Sequence, residues 1–337
     1  MSPLLTAALR ILAAVGLMLA NGVVLIYMLR KVLGHLHLRY GPLHVGWHGI
    51  IQTTADVLKL LTKEDPTPRA VDKALFFIAP AAVFVPALMA YAAIPFSQTW
   101  TVTSLDTGLL YTFAVLSFVP IGILMAGWAS ANKWSLLGGM RAAAQQIAYE
   151  VPLLLSVLPV VMLVGSANLG DIVASQSGWW FTPLPRWFVF PLLPSFVLFL
   201  IAALVDTNQT PFDMSEAESE LVGGFATEYS AMKFGLLFLA EFSNVFIFSA
   251  LVTTLFFGGW QLPWVPAELY QPIAPVIFML KVYFGIFVLM TIRGTLPRVR
   301  VDQMLSLGWK VLLPASLAWV MITGFVLKLG QTLGGVR

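Results

Sequence analysis

The amino-acid sequence predicts an all-α polytopic membrane protein with about eight transmembrane helices and with amphipathic helices in its cytoplasmic loops. Of its 337 residues, 59% are hydrophobic and only 10% are charged, a composition that an ordinary soluble domain does not have. Several apolar runs exceed the roughly 20 residues that a helix needs to cross the hydrocarbon core. These runs are unbroken, whereas the strands of a membrane barrel alternate over about ten residues, so the sequence favours helices.

Eight apolar segments are predicted to cross the membrane within one transmembrane domain, residues 1–337. They are Leu4–Tyr27, Leu75–Phe96, Gly108–Trp128, Ile147–Val164, Phe188–Val205, Met232–Phe257, Ile273–Ile292 and Trp309–Leu329. Proline kinks or locally breaks a helix, and such effects are expected at Pro86, Pro120, Pro152 and Pro159.

The lysine and arginine residues predict the orientation of these segments. If both termini lie on the outer, periplasmic side of a bacterial plasma (inner) membrane, fourteen of the nineteen basic residues lie on or near the cytoplasmic side. The opposing loops around Asp106, Asp171 and Glu268 then carry only Arg186, as the positive-inside rule requires. The net charge of +3 therefore reflects topology and does not indicate nucleic-acid binding. The expected cytoplasmic loops are residues of about 30–72, 129–146, 206–231 and 293–308.

The sequence argues against redox centres within this chain. It contains no cysteine, which iron–sulfur clusters, disulfides and thiolate metal sites all require. No glycine-rich fingerprint follows a strand, so no flavin, dinucleotide or ATP site is predicted. Neither haem nor a metal ion is expected, because the four histidines all lie in the first loop and are best explained as polar residues near the membrane surface. They are His35, His37, His44 and His48.

Acidic residues are concentrated in one part of the chain, where seven of the sixteen fall between Asp206 and Glu241. A carboxylate near the bilayer centre costs roughly 2.5 to 3.5 kcal/mol on insertion scales, so such a residue usually marks an ion or proton route. Glu241 is the clearest candidate, because apolar sequence extends on both sides of it from Phe234 to Trp260. Glu150 and Asp206 lie similarly at the edges of apolar runs.

Residues 46–63 are predicted to form an amphipathic helix at the membrane surface. One broad face is apolar, and the other carries Asp56, Lys59 and Lys63. Two interpretations stay open, a lid over a cavity that opens to the cytoplasmic side and a simple surface anchor.

A second short helix is predicted in the third cytoplasmic loop. Glu216 and Glu220 share one helical face and Glu218 points nearly opposite, so the helix can present carboxylates to a partner and to the bundle interior. Asp213 is predicted to cap this helix. Glu220 and Glu228 are explained equally well by function and by ordinary solvated or salt-bridged positions.

Lys281 is an isolated basic residue in an apolar segment. Two interpretations stay open here as well. Lys281 either pairs with one of the membrane acids or extends its amine towards the interface.

Six segments resemble, in family order, the H subunit of the NADH-quinone oxidoreductases, the respiratory complex I family. The longest is TNQTPFDMSEAESELVGGFATEYSAMKFGLLFLAEFSN, and the others are RKVLGHLHLRYGP, ADVLKLLTKED, GWASANKWSLLGGMRAAAQQIAYEV, LFFGGW and RGTLPRVRVDQMLSLGWKVLLP. The resemblance implies an eight-helix subunit at the junction between a cluster-bearing peripheral arm and proton-pumping membrane subunits.

The resemblance also implies functional residues. The subunit is expected to form part of a chamber for a quinone, ubiquinone or menaquinone, and the start of an acidic proton-coupling route, without being catalytic by itself. Acids that match the proton route are Glu150, Asp206, Glu218 and Glu241. Candidates for the quinone chamber and coupling are Arg30, Arg39, Asp56, Lys59, Glu216, Glu220, Glu228, Arg293, Arg298 and Arg300.

The sequence departs from the family pattern at several of these positions. Leu29 stands where the family usually has Glu, and Gln209 stands in an Arg position. Leu43 and His44 replace an Asn and a basic residue, whereas Asp206 replaces Glu and preserves its charge. The missing Glu and Arg lie near the expected quinone entrance.

Two other functions stay open at this point. In the corresponding subunit of a membrane-bound hydrogenase or formate-oxidising complex, the same bundle couples a different electron reaction without quinone, and the missing Glu and Arg favour this alternative. A stand-alone ion transporter is expected to show inverted repeats, and the sequence shows no repeat.

Overall fold

The computed structural model describes residues 3–98, 100–181, 184–215, 218–263, 265 and 270–333. Within these residues, seven helical segments are long and apolar enough to cross a membrane, and an eighth apolar helix is shorter. The prediction of a polytopic helical membrane protein is therefore confirmed.

Thirteen α-helices lie in the described residues. They are α1 Pro3–Leu36, α2 Gln52–Thr62, α3 Lys73–Tyr91, α4 Gly108–Leu116, α5 Val119–Ala129, α6 Lys133–Val164, α7 Leu169–Ser175, α8 Leu193–Asp206, α9 Glu218–Leu221, α10 Ala231–Phe256, α11 Ala274–Thr295, α12 Val301–Leu307 and α13 Leu313–Thr332. A π-helical turn, Gly308–Leu312, joins α12 to α13. Short 3-10 helices occur at Trp47–Gly49, Gly224–Ala226 and Gln271–Ile273, and the strands β1 Trp179–Phe181 and β2 Leu184–Pro185 pair antiparallel.

The four prolines singled out in the sequence behave differently from one another. Pro120 lies in the first turn of α5, just after the crossing is interrupted between α4 and α5. A proline is tolerated there because the N–H that it lacks has no partner in the first turn. The helices α3 and α6 continue through Pro86, Pro152 and Pro159.

The stretch 133–146 was expected to be part of a loop, but it forms the beginning of α6. Asn132 caps the helix, since its side-chain oxygen accepts the N–H of Trp134 at 3.0 Å. Gly138 and Gly139 are buried against neighbouring backbone, including that of Gly224. The stretch is thus helical because it is packed within the protein, which hydropathy alone does not detect.

Burial differs strongly between the crossing helices. In α10 the most apolar window is 67% buried inside the protein, whereas in the helical segment Val301–Thr332 it is 11% buried. The helix α10 packs against α3, α11 and α1 and is the central element of the bundle. Most of the surface of α13 is therefore left for lipid or for another protein.

A close approach of α5 to α3 depends on Gly122. A Cβ atom at this position would lie 2.7 Å from Val83 Cγ2 and 2.9 Å from the carbonyl carbon of Ala82. We expect Gly122→Val to lower the free energy of unfolding by about 1–3 kcal/mol, because overpacking forces the two helices apart. Denaturant titration of the purified chain in detergent measures this change. Gly16→Val in α1 is the matched control, since no atom lies within 4 Å of its added Cβ. An equal loss in both variants would contradict the role of this contact.

Candidate functional site

Three carboxylates lie partly buried in the centre of the bundle. Glu150 is in α6, Asp206 is the last residue of α8, and Glu241 is near the middle of α10. The short helix α8 spans only about 21 Å, less than the roughly 30 Å of the hydrocarbon core. Its start is set by Pro194 in the first turn, so it begins later than the predicted Phe188. A crossing formed by α8 would therefore place one end of the helix at membrane depth.

Two small cavities adjoin these carboxylates. The first is lined by Ser117, Glu150, Gln146 and Asp206, and the second by Gln146, Asp206 and Glu241 among others. Each has about 20 Å³ open to a water-sized sphere, which is room for about one water molecule. Because the two cavities share Gln146 and Asp206 in their walls, Glu150, Asp206 and Glu241 line adjoining cavities, which together are named the carboxylate path.

Hydrogen bonds position the groups along this path. Ser117 donates its hydroxyl to Glu150 Oε1, and Gln146 Nε2 donates to the backbone oxygen of Asp206 at 3.3 Å. The loop after α8 is held by Gln145, whose Nε2 lies 2.6 Å from the Val205 carbonyl oxygen. Non-helical backbone at membrane depth requires such partners, because no bulk water is present to satisfy it.

Glu241 is joined to a basic residue through an amide. Gln209 Nε2 donates to Glu241 Oε1 at 3.1 Å, and Arg293 Nη1 donates to Gln209 Oε1 at 2.7 Å. Arg293 Nη1 also lies 3.8 Å from Glu241 Oε1. A negative charge on Glu241 is therefore partly balanced without a direct hydrogen bond to the guanidinium group.

Of the four acids predicted for the proton route, the structure brings three together along this path. Glu218 begins the short helix α9, and its side chain lies outside the described residues. Glu216 also lies outside them. The role of these acids in proton transfer stays a prediction.

The prediction that Asp213 caps the following helix is wrong. Residues 214 and 215 are not helical, and α9 begins five residues after Asp213. Asp213 Oδ2 instead accepts a hydrogen bond from Arg298 Nη2 at 3.3 Å. Asp213 therefore takes part in a long-range ion pair.

Two further acids of this region have ordinary polar partners. Arg141 Nη1 lies 2.6 Å from Glu220 Oε2, and Asn132 Nδ2 donates to Glu228 Oε1 at 2.7 Å. These contacts join the beginning of α6 to the third loop. They favour the structural interpretation of Glu220 and Glu228.

The predicted amphipathic helix is confirmed over Gln52–Thr62, but it begins later than expected. Gly46, His48 and Gly49 have positive φ angles, so the chain cannot be α-helical there. A Cβ at Gly49 would lie 2.3 Å from the carbonyl oxygen of Pro42, so the turn requires glycine. Trp47 is 78% exposed, which leaves an apolar surface beside α2 in the isolated chain.

Asp56 attaches α2 to the end of α1. Arg30 Nη1 lies 2.5 Å from Asp56 Oδ2, Lys59 Nζ lies 3.8 Å from Oδ1, and Gln52 Nε2 donates to Oδ1 at 3.3 Å. Burial by itself would raise the pKa of Asp56, but the hydrogen bond and the charge of Arg30 outweigh it and hold the pKa below its usual value. Arg39 and Arg300 are exposed.

The ends of α1 and α11 meet on the same side of the bundle. His37 Nε2 lies 3.4 Å from the Gly294 carbonyl oxygen, and the N–H of Val299 donates to the Pro211 carbonyl oxygen at 3.0 Å. The candidate basic residues of the first and last loops therefore face one region of the molecule.

Lys281 forms no ion pair within the described residues, so the predicted pairing with an acid is wrong there. Its Nζ donates to the carbonyl oxygens of Phe257, Gly259 and Gln261 at 2.9, 2.9 and 2.7 Å. These oxygens belong to the C-cap residue Phe257 and to the turn that follows α10. Lys281 thus stabilises this turn, and the Gly-Gly pair within it is the sequence signal that was missed.

This fold and this site define a class of protein, a polytopic helical membrane protein with a path of carboxylates through its centre. The chain belongs to the NADH dehydrogenase family, whose model matches residues 9–324. The resemblance of the six sequence segments is therefore confirmed.

Relatives of similar length match over most of the chain. The H subunit of the NADH-quinone oxidoreductase of Rhodospirillum centenum is 46% identical over 318 residues, which are 94% of this chain and 93% of the relative. Proteins of the same name from Geobacillus kaustophilus and Dehalococcoides mccartyi are 48% and 45% identical. Their matches cover 88% and 92% of this chain and 86% and 84% of the relatives.

We expect Asp56→Asn to loosen α2. The lowered pKa means that the Asp56 ion pair stabilises the attachment of α2 above the usual value of 3.8, and that this contribution is lost as the pH falls through the lowered pKa. Both partners are partly exposed, so the effect is small, and we expect the amides of α2 to lose only a few-fold of their protection from hydrogen exchange. Hydrogen exchange of the amides in 52–62 at pH 7 measures it, with Asp302→Asn in α12 as a control. Equal protection in wild type and Asp56→Asn at pH 7 would refute the interaction.

Proposed function

We propose that this chain is the membrane subunit of a proton-translocating NADH-quinone oxidoreductase that links quinone reduction to the pump subunits. The observation that supports the proposal is that Glu150, Asp206 and Glu241 line two adjoining water-sized cavities. Family membership supplies the context of a redox enzyme.

The proton route is argued from the cost of charge in the membrane. Carboxylates at this depth are expensive unless they are paired or share water, so their presence indicates a functional requirement. Glu150 and Glu241 each line one cavity with room for water, and Asp206 lines both cavities. Because neighbouring ionisable groups titrate together, a charge change at one end of this path alters the protonation of the other.

The quinone chamber is proposed at the end of the bundle where α1, α2 and α11 meet. Arg30 with Asp56 and Arg293 with Gln209 supply polar groups there, and the apolar surface beside α2 suits the tail of a quinone. Electrons from clusters in partner subunits reduce the quinone, which develops negative charge in a region of low dielectric constant. Acids connected to this region respond by taking up or passing protons.

The partners and location follow from the same proposal. A cluster-bearing peripheral arm docks on the cytoplasmic end, and pump subunits or lipid cover exposed helices such as α13. The chain crosses a bacterial plasma membrane with both termini outside, in agreement with the distribution of its basic residues. It binds no iron–sulfur cluster, flavin, haem or metal of its own.

Quinone as the substrate is supported over a hydrogenase-type or formate-oxidising reaction by the relatives, which are named NADH-quinone oxidoreductases. Purification of the intact assembly, with identification of its subunits and extraction of bound quinone, tests this choice. We expect NADH-oxidising and cluster-bearing subunits together with ubiquinone or menaquinone. Hydrogenase or formate-oxidising subunits without quinone would overturn the proposal.

We expect Glu241→Gln to reduce proton pumping and coupled turnover by at least about tenfold, equal to about 1.4 kcal/mol in the barrier. The amide keeps the shape and hydrogen-bonding length of the carboxyl group but cannot take up a proton at neutral pH. Proton uptake by vesicles that contain the assembled complex measures the effect. Glu64→Gln is the control, because Glu64 is an exposed acid in the first loop. Undiminished pumping in a correctly assembled Glu241→Gln complex would remove Glu241 from the route.

A further inference from the structure

Gln209 occupies a special position between two charged groups. It is only 3% exposed, and its carboxamide lies between Glu241 of α10 and Arg293 of α11. Three elements of the bundle, α10, α11 and the loop after α8, therefore meet at one uncharged side chain.

The chemistry of the two neighbours decides which way the carboxamide faces. A guanidinium group can only donate hydrogen bonds, so the carbonyl oxygen Oε1 of Gln209 must face Arg293. The amide nitrogen then faces Glu241 and donates to it, and the same nitrogen donates to the Thr207 carbonyl oxygen at 3.1 Å. Gln209 thus uses an acceptor on one side and donors on the other.

The backbone around Gln209 holds the side chain in this place. The N–H of Gln209 donates to the Leu204 carbonyl oxygen at 3.2 Å, and its own carbonyl oxygen accepts the N–H of Phe212 at 2.8 Å. Gln145 Nε2 donates to the Phe212 carbonyl oxygen and to Asn208 Oδ1, both at 3.0 Å. A loop that is fixed at four points cannot easily move the carboxamide away.

The carboxamide of Gln209 prevents a direct ion pair between Arg293 and Glu241. A direct ion pair of arginine and carboxylate usually has hydrogen bonds of about 2.7–2.9 Å, often two in parallel. Here Arg293 Nη1 stays 3.8 Å from Glu241 Oε1 and donates to Gln209 instead. A direct bidentate pair would strongly stabilise the charged form of Glu241 and would oppose proton uptake.

We infer that Gln209 is a positioning residue of the proton route, which keeps Arg293 one amide away from Glu241 and points the carboxylate towards the cavity shared with Asp206. This inference rests on the proposed function. It assigns a specific task to a residue that stands where the family usually has Arg.

Other groups near Glu241 define the electrostatic setting of the test. Among the residues that the structure describes, the charged groups near it are Arg293 from α11, Asp206 from α8 on the same cavity, and Asp213, which is itself paired with Arg298. The helices α3 and α5 contribute apolar side chains to the cavity wall. A charge introduced at position 209 would therefore interact most strongly with Glu241 and Arg293.

Two variants of the assembled complex test the inference. Gln209→Met has nearly the same volume but no donor and only a weak acceptor, and we expect pumping to fall about tenfold at every pH. Gln209→Glu can replace the amide only when it is protonated, because only then does it both donate and accept. We expect its pumping, relative to wild type, to be restored as the pH falls and lost as the pH rises.

The controls separate this inference from the proposed function. Gln331→Met changes an exposed glutamine near the end of α13 and should leave pumping unchanged. Wild-type pumping in Gln209→Met, or a Gln209→Glu variant with the pH profile of the wild type, would overturn the positioning role. If Glu241→Gln pumps normally in the same assay, the proposed route itself fails. If Glu241→Gln is defective and Gln209→Met is not, only the present inference fails.

Discussion

The cost of placing a charge inside a membrane is the constraint on which this structure depends. The protein meets that cost with polar groups and water-sized spaces in the centre of the bundle, between α6, α8 and α10. Ser117 donates a hydrogen bond to Glu150, and Gln146 donates one to the backbone oxygen of Asp206. Gln209 donates to Glu241, and Arg293 lies nearby. A direct ion pair favours the charged form of a carboxylate, and Gln209 keeps Arg293 out of such a pair with Glu241.

The packing of the helices makes this centre possible. The short helix α8 ends inside the protein, and Gln145 satisfies the carbonyls of the loop that follows. Lys281 donates hydrogen bonds to carbonyl oxygens of the turn after α10, where Gly258 and Gly259 have positive φ angles. Interrupted helices at membrane depth leave free backbone groups, and side chains from neighbouring helices replace the water that is absent.

Much of the fold was predictable from hydropathy, because an apolar run of sufficient length has few alternatives to a membrane helix. The beginning of α6 could not be predicted from hydropathy, because it is stabilised by tight packing at Gly138 and Gly139. Of the site, the apolar sequence around Glu241 predicted its place inside the bundle, where its side chain is partly buried. The partner of Asp213, Arg298, was missed because it is distant in the chain. The partners of Lys281 were missed because they are backbone oxygens.

The sequence by itself determined the class of protein, the approximate number of crossings, the family and which acids lie beside apolar runs. These follow from local composition and from ordered motifs. Only the tertiary structure decided that Glu150, Asp206 and Glu241 border adjoining cavities and that Gln209 separates Arg293 from Glu241. The physical reason is that hydrogen bonds and water-sized spaces depend on distances of a few ångströms between helices, which a linear pattern of apolar and polar residues does not encode.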